Sequence, residues 1–133
     1  MKSEDTKKLL ISCATKVFYE HGFEKASMRQ IVEMAGVTKP TVYYYFKNKA
    51  ELYHYILDTH IQKVINKINR IIREPGDYTE AFCAIIESFS EGFETEPMEY
   101  AITQGEMSGR GIFYGYVRDR YFLKLFNDLA GFM

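Results

Sequence analysis

Between Ser27 and Asn48 the chain has room for two short helices and almost nothing else. Ser27 stands three residues ahead of Gln30, the pairing in which each side chain satisfies the other residue's backbone N–H at a helix start. Met28, Ile31, Val32 and Ala35 supply an apolar stripe, and Gly36 follows where a helix end often needs a left-handed residue. Thr38 can cap the next helix, whose first turn tolerates Pro40 because an N–H there has no helical partner. Asn48 with Glu51 forms another capping pair and opens a longer helix. A short helix, a tight glycine turn and a second short helix make a helix-turn-helix, a device that lays its second helix in a major groove.

The sides of that second helix differ. At about 100° per residue, with Val42 set toward the core, Phe46 falls about 40° away while Pro40 and Tyr44 point nearly opposite. Lys39, Thr41 and Tyr43 flank them. One side is therefore apolar, and the other shows hydroxyls, a cation and aromatic edges, groups suited to phosphate oxygens, base edges and thymine methyls. The run Tyr43-Tyr44-Tyr45-Phe46 also suits a buried strand by propensity, but the distance from Pro40 to Asn48 leaves little room for one.

The remainder reads as helix too, so the predicted fold class is all-α. Leu9, Leu10, Cys13, Ala14, Val17 and Phe18 form a stripe that stops at Gly22. The helix opened by Asn48 carries Leu52, Ile56, Ile61, Val64, Ile65, Ile68 and Ile72 before Glu74-Pro75-Gly76 ends it. Asp77 and Glu80 cap a further helix with Phe82, Ile85, Ile86, Phe89 and Phe93, interrupted at Thr95-Glu96-Pro97. A shorter helix is expected from about Met98 to Met107. The segment from Ile112 to Met133 is apolar nearly all round and needs neighbours that no later residue supplies. The 9 Gly and 3 Pro leave little material for an all-β fold, and 47% hydrophobic with 26% charged residues argues against disorder.

Charge divides the chain. Residues 1–50 hold nine Lys/Arg against five Asp/Glu, and residues 51–133 hold eight against thirteen. Between Glu74 and Glu106 there are nine acids and no Lys or Arg. Either the first third meets a polyanion or the imbalance is that of an ordinary solvated surface. No apolar run approaches the ~18 residues of a membrane span, and the acids of Met1-Lys2-Ser3-Glu4-Asp5 argue against a signal peptide, so a cytoplasmic location is expected. Cys13 and Cys83 lie in apolar stripes without metal-like spacing, which predicts buried, reduced thiols. Glu51, His54 and Asp58 share a helix face, yet a di-iron bundle needs two such Glu-x-x-His sets and the chain has one. No phosphate loop or nucleophile elbow occurs, so no enzyme, no metal and no cofactor is expected.

The first third resembles the N-terminal DNA-binding domain of the TetR/AcrR family of bacterial transcriptional regulators. The resemblance is carried by Phe18, Gly22-Phe23, Ser27, Ile31, Ala35-Gly36-Val37-Thr38-Lys39, and Tyr43-x-Tyr45-Phe46-Lys47-Asn48-Lys49-x-x-Leu52. It covers roughly residues 6–55, and Val32 departs from it, standing where a small residue is usual. It implies a helix-turn-helix domain over 1–47 and a helical regulatory region over 48–133, with 48–73 as the connecting helix and the final helices missing. It implies that Arg29 reaches a base or a phosphate, that Lys39, Pro40, Thr41 and Tyr44 touch base edges, and that Tyr43 and Lys49 bind phosphates. Arg29, Lys39, Lys47 and Lys49 then give at most four cationic contacts per half-site, and a salt slope of roughly −7 at most for a dimer.

The same resemblance implies a repressor, homodimeric at full length, bound to a palindromic double-stranded DNA operator and relieved by an unknown small-molecule effector, with no membrane partner. Phe82, Ile86, Phe89, Phe93, Tyr100, Met107 and Phe113 fit either the lining of an effector cavity or plain core. A second function stays open, a DNA-anchored protein-interaction factor without a ligand, because the aromatic-rich end from Tyr114 onward suits a partner surface.

Overall fold

The computed structural model describes residues 3–109 and 111–132, and every regular element among them is helical. Met1, Lys2 and Met133, which enter the reading of the two ends, lie outside the described residues. The chain forms two compact units, Met1–Asp58 and Thr59–Met133.

The first unit holds α1 (Ser3–Lys25), α2 (Met28–Ala35), α3 (Lys39–Tyr45) and the start of α4 (Lys49–Arg73). Its caps form as the residues dictate. The Ser27 hydroxyl accepts from the Gln30 N–H at 3.2 Å while the Gln30 side-chain Oε1 accepts from the Ser27 N–H at 2.8 Å. Gly36 is left-handed at φ 67° and donates back to the Val32 carbonyl at 3.0 Å. Thr38 caps α3, with Pro40 in the first turn. At the start of α4 the Asn48 side chain accepts from Glu51 N–H at 2.8 Å, but the Glu51 carboxylate reaches the N–H of Lys47 rather than that of Asn48. Gly22, expected to end α1, breaks its helical geometry at φ 75°, and a last turn follows before Ala26 donates to the Gly22 carbonyl. The strand alternative for Tyr43–Phe46 is excluded, since α3 runs to Tyr45.

These elements enclose a core in which Leu10, Ile31, Val42 and Leu52 are fully buried. Phe18 meets Tyr53 edge-on at 4.9 Å, and Phe23 joins them at 5.1 Å. The buried side chain of Phe46 leaves α3 in extended conformation and packs on Tyr55. The Tyr45 hydroxyl donates to the Ser3 carbonyl at 3.0 Å, tying the end of α3 to the beginning of α1. Cys13 is buried as expected, and burial pushes its thiol pKa up.

The second unit holds the rest of α4, α5 (Tyr78–Thr95), α6 (Pro97–Met107), α7 (Tyr114–Val117), a π-helical turn over Arg118–Phe122, and α8 (Leu123–Phe132). Asp77 and Glu80 cap α5 reciprocally. Glu96 ends α5 and precedes α6, so the two form a tight hairpin, and Lys63 of α4 holds the Glu96 carboxylate at 2.6 Å. Inside the hairpin the buried Tyr100 ring lies against Gly92, where a Cβ would fall within the ring. The buried Glu106 carboxylate accepts from the Phe113 N–H at 2.9 Å.

Two expectations need correction here. Cys83 is exposed rather than buried, and so are Phe82 (64%) and Ile86 (53%). The cause is length: α6 has 11 residues against 18 in α5, and folding back from Glu96 it covers only the C-terminal part of its neighbour. The apolar tail runs helical from Tyr114 to Phe132 with the π-helical turn inside it, and its Leu123 and Phe126 are over 60% exposed.

Candidate functional site

The caps just described fix which side of α3 is free. Val42 is wholly buried, and on the far side Tyr44 is 80% exposed with its ring edge-on to Tyr45 at 5.0 Å. Lys39, Pro40 and Tyr43 are exposed beside it, and the Lys39 ammonium lies 5.9 Å from the Tyr43 ring. Thr41 is half-buried, its hydroxyl 2.8 Å from that of Thr38. In α2, Arg29 pairs with Glu33 at 3.0 Å, but at 87% and 64% side-chain exposure such a pair is weak, and a phosphate can displace the carboxylate. The structure thus brings Arg29, Lys39, Pro40, Thr41, Tyr43 and Tyr44 together on the helix-turn-helix, with their polar groups toward solvent.

Lys49 has a different task. Its ammonium donates to three carbonyls at the end of α1, those of Phe23 (2.7 Å), Ala26 (3.1 Å) and Glu24 (3.3 Å), and lies 4.3 Å from the Phe23 ring. An ammonium has three donors, and all are used. In this structure Lys49 therefore serves as the cationic cap that the carbonyls of a helix C-terminus require. No local spacing announces this, because the contacts reach back more than twenty residues.

Residues 10–56 match the family described as bacterial regulatory proteins, tetR family. The N-terminal unit is a tetR-family helix-turn-helix domain. The chain is 30% identical over 93 residues to the HTH-type transcriptional activator FasR of Mycolicibacterium smegmatis, covering 70% of this chain and 42% of that protein. It is 39% identical over 54 residues to the HTH-type transcriptional repressor ComR of Escherichia coli, covering 41% of this chain and 26% of that one. Among solved structures, the fatty acid degradation regulator FadR of Bacillus halodurans shares the fold at a TM-score of 0.65 and 24% identity, over 74% of this chain and 53% of its own. The chain spans less than half the length of either curated relative.

Outside the tetR-family domain, the second unit holds a half-open cavity of about 380 Å³. Of the residues singled out in the sequence, Phe89, Phe93, Tyr100 and Met107 line it. Phe82 and Ile86 do not, for the reason given above, nor does Phe113, whose backbone N–H is held by Glu106. The structure adds His60, Val64 and Ile65 from α4 and Val117, Tyr121 and Leu125 from the last helices. No described residue group resembles a metal site, Glu51, His54 and Asp58 included, and no helix among the described residues is long and apolar enough to cross a membrane.

His60 is 5% exposed, its Nδ1 lies 3.3 Å from the Thr103 hydroxyl, and its ring meets Tyr100 edge-on at 4.5 Å. Burial lowers its pKa below the ordinary 6.5, and Lys63 adds to this while Glu96 opposes it. Below pH 6.5 the unfolded chain then binds a proton that the folded chain resists, so His60 favours the fold above that pH and the advantage is lost as pH falls through it. Thermal melts of the wild type and His60→Gln on both sides of pH 6.5 check this: the wild type should lose more stability on acidification. An identical pH dependence would show that His60 titrates normally.

Proposed function

We propose that the chain is a cytoplasmic DNA-binding transcription regulator, a repressor whose hold on DNA is relieved by a small molecule in the C-terminal cavity. The observation that carries the DNA reading is the outward face of α3, where Lys39, Pro40, Tyr43 and Tyr44 stand exposed while Val42 and Phe46 are locked in the core. In this reading residues 1–47 read the operator, 48–133 regulate, and the partner is a palindromic duplex bound by a homodimer. The names of the relatives, which include an activator and a repressor, support regulation of transcription.

The cavity favours a ligand-sensing regulator over an interaction factor without a ligand, for which the exposed Leu123 and Phe126 speak. The proposed sign of control follows from α4, which runs unbroken from Lys49 to Arg73, about 38 Å. Displacing such a lever changes the spacing of two recognition helices that must engage half-sites a helical turn apart. Linkage supplies the test, since operator DNA must weaken ligand binding by the same factor by which ligand weakens DNA binding, typically 5–150-fold, about 1–3 kcal/mol. Calorimetry showing ligand affinity untouched by saturating operator would exclude the switch.

A further inference from the structure

One charged pair on α2 does little for the helix that carries it. Arg29 is the second residue of α2, and a cation in the first turn opposes the positive end of the helix dipole. No acid in that turn offsets it. Its partner is Glu33, one turn on, whose carboxylate accepts from Arg29 Nε at 3.0 Å. Cation before acid is the less favourable order for such a pair in a helix. Both side chains are exposed, about 40° apart on the face away from the fully buried Ile31. Ile31, the Ser27–Gln30 cap and Gly36 fix the backbone of α2, so what Glu33 sets is the direction of the guanidinium.

The bond engages a particular part of Arg29. A guanidinium is a rigid planar fork of five N–H donors, one on Nε and four on the two terminal nitrogens. Glu33 takes the Nε donor, and nothing else among the described residues meets this guanidinium. A fork tethered at Nε presents its end-on edge, two parallel N–H groups, and that edge matches the O6 and N7 acceptors of guanine in the major groove. A partner on the terminal edge leaves the bond to Glu33 intact. A phosphate reaching for Nε must instead displace the carboxylate and meet its negative charge, and phosphates carry no sequence information.

We infer that Glu33 is a specificity-determining positioning residue: by holding Arg29 through Nε it turns the terminal edge of the guanidinium outward and makes Arg29 a reader of guanine. This rests on the reading of α2 and α3 as a DNA-reading unit, and it adds what Arg29 reads and which residue aims it. Anisotropy titrations of the full chain at low salt compare duplex from the upstream region of its own gene with a scrambled duplex. The proteins are the wild type, Glu33→Ala, Glu33→Gln, Arg29→Ala and the double alanine variant. Glu33→Ala is expected to lower the preference for the upstream duplex about twofold per subunit, hence about fourfold in a dimer, the scale of an exposed i,i+4 pair. Glu33→Gln keeps a neutral acceptor within reach of Nε and is expected to retain the preference, although it removes the same charge.

In the Arg29→Ala background, Glu33→Ala should leave the preference unchanged. Replacing guanine by 7-deazaguanine in the upstream duplex removes the N7 acceptors and should weaken the wild type more than Arg29→Ala. Equal tightening of both duplexes by Glu33→Ala and Glu33→Gln would make Glu33 a repelling charge only, overturning the inference while the DNA reading stands. A Glu33→Ala loss that persists without Arg29, or a 7-deazaguanine penalty that is the same with and without Arg29, would overturn it too. A wild type with no preference between the duplexes would overturn both.

Discussion

Replacing Lys49 with methionine is expected to lower the stability of the N-terminal unit by about 2 kcal/mol while leaving the salt dependence of DNA binding unchanged. Methionine keeps an apolar stem beside Phe23 but abandons three carbonyls at the end of α1, those of Phe23, Glu24 and Ala26. The loss should appear in hydrogen exchange as roughly thirtyfold faster opening of the core amides around Ile31 and Leu52. With Lys49 occupied, Arg29, Lys39 and Lys47 remain as the proposed cationic contacts, so a dimer should show a salt slope no steeper than about −5. If Lys49→Met instead flattened the slope and left exchange unaltered, the lysine would be a phosphate ligand after all.

Gly92→Ala is expected to destabilise the second unit by about 1–2 kcal/mol, the opposite of what the same change does at an open helical site. Alanine is ordinarily the better helix former by up to about 1 kcal/mol, but here its Cβ would enter the Tyr100 ring. Tyr100 is 7% exposed and its ring packs against His60 at 4.5 Å and Phe93 at 4.7 Å, contacts it would have to give up to make room. Gly105 in α6 is the internal control, with nothing within 4 Å of an added Cβ, and Gly105→Ala should stabilise the protein. Denaturant midpoints of the two variants provide the check. A stabilising Gly92→Ala would mean that the hairpin is looser than the packing of Tyr100 against α5 requires.

The features legible in the sequence are those whose causes are local. Ser27 with Gln30, Asp77 with Glu80, Gly36 and Thr38 act within one turn of helix, so their spacing alone places the ends of α2, α3 and α5. Val42 and Phe46 were assignable to the core because helical angle and apolar character agree. What escaped depends on partners distant in sequence. Lys49 takes its role from carbonyls more than twenty residues earlier, His60 from Thr103 on another helix, and the exposure of Phe82, Cys83 and Ile86 from how far α6 reaches along α5. Even Glu51 shows the limit, since its spacing from Asn48 was right but its carboxylate bonds the N–H of Lys47.

In the proposed function α3 reads DNA through its outward face, where Tyr44 is the most exposed of its aromatic side chains. Anisotropy titrations at one fixed, low salt concentration test it most directly. They compare the wild type and Tyr44→Ala on duplex from the upstream region of the protein's own gene and on a scrambled duplex. The wild type should prefer its own upstream DNA, and Tyr44→Ala should weaken that complex by about 1–3 kcal/mol while changing the scrambled complex little. A wild type that binds neither duplex, or a Tyr44→Ala loss that is equal on both, would contradict the account.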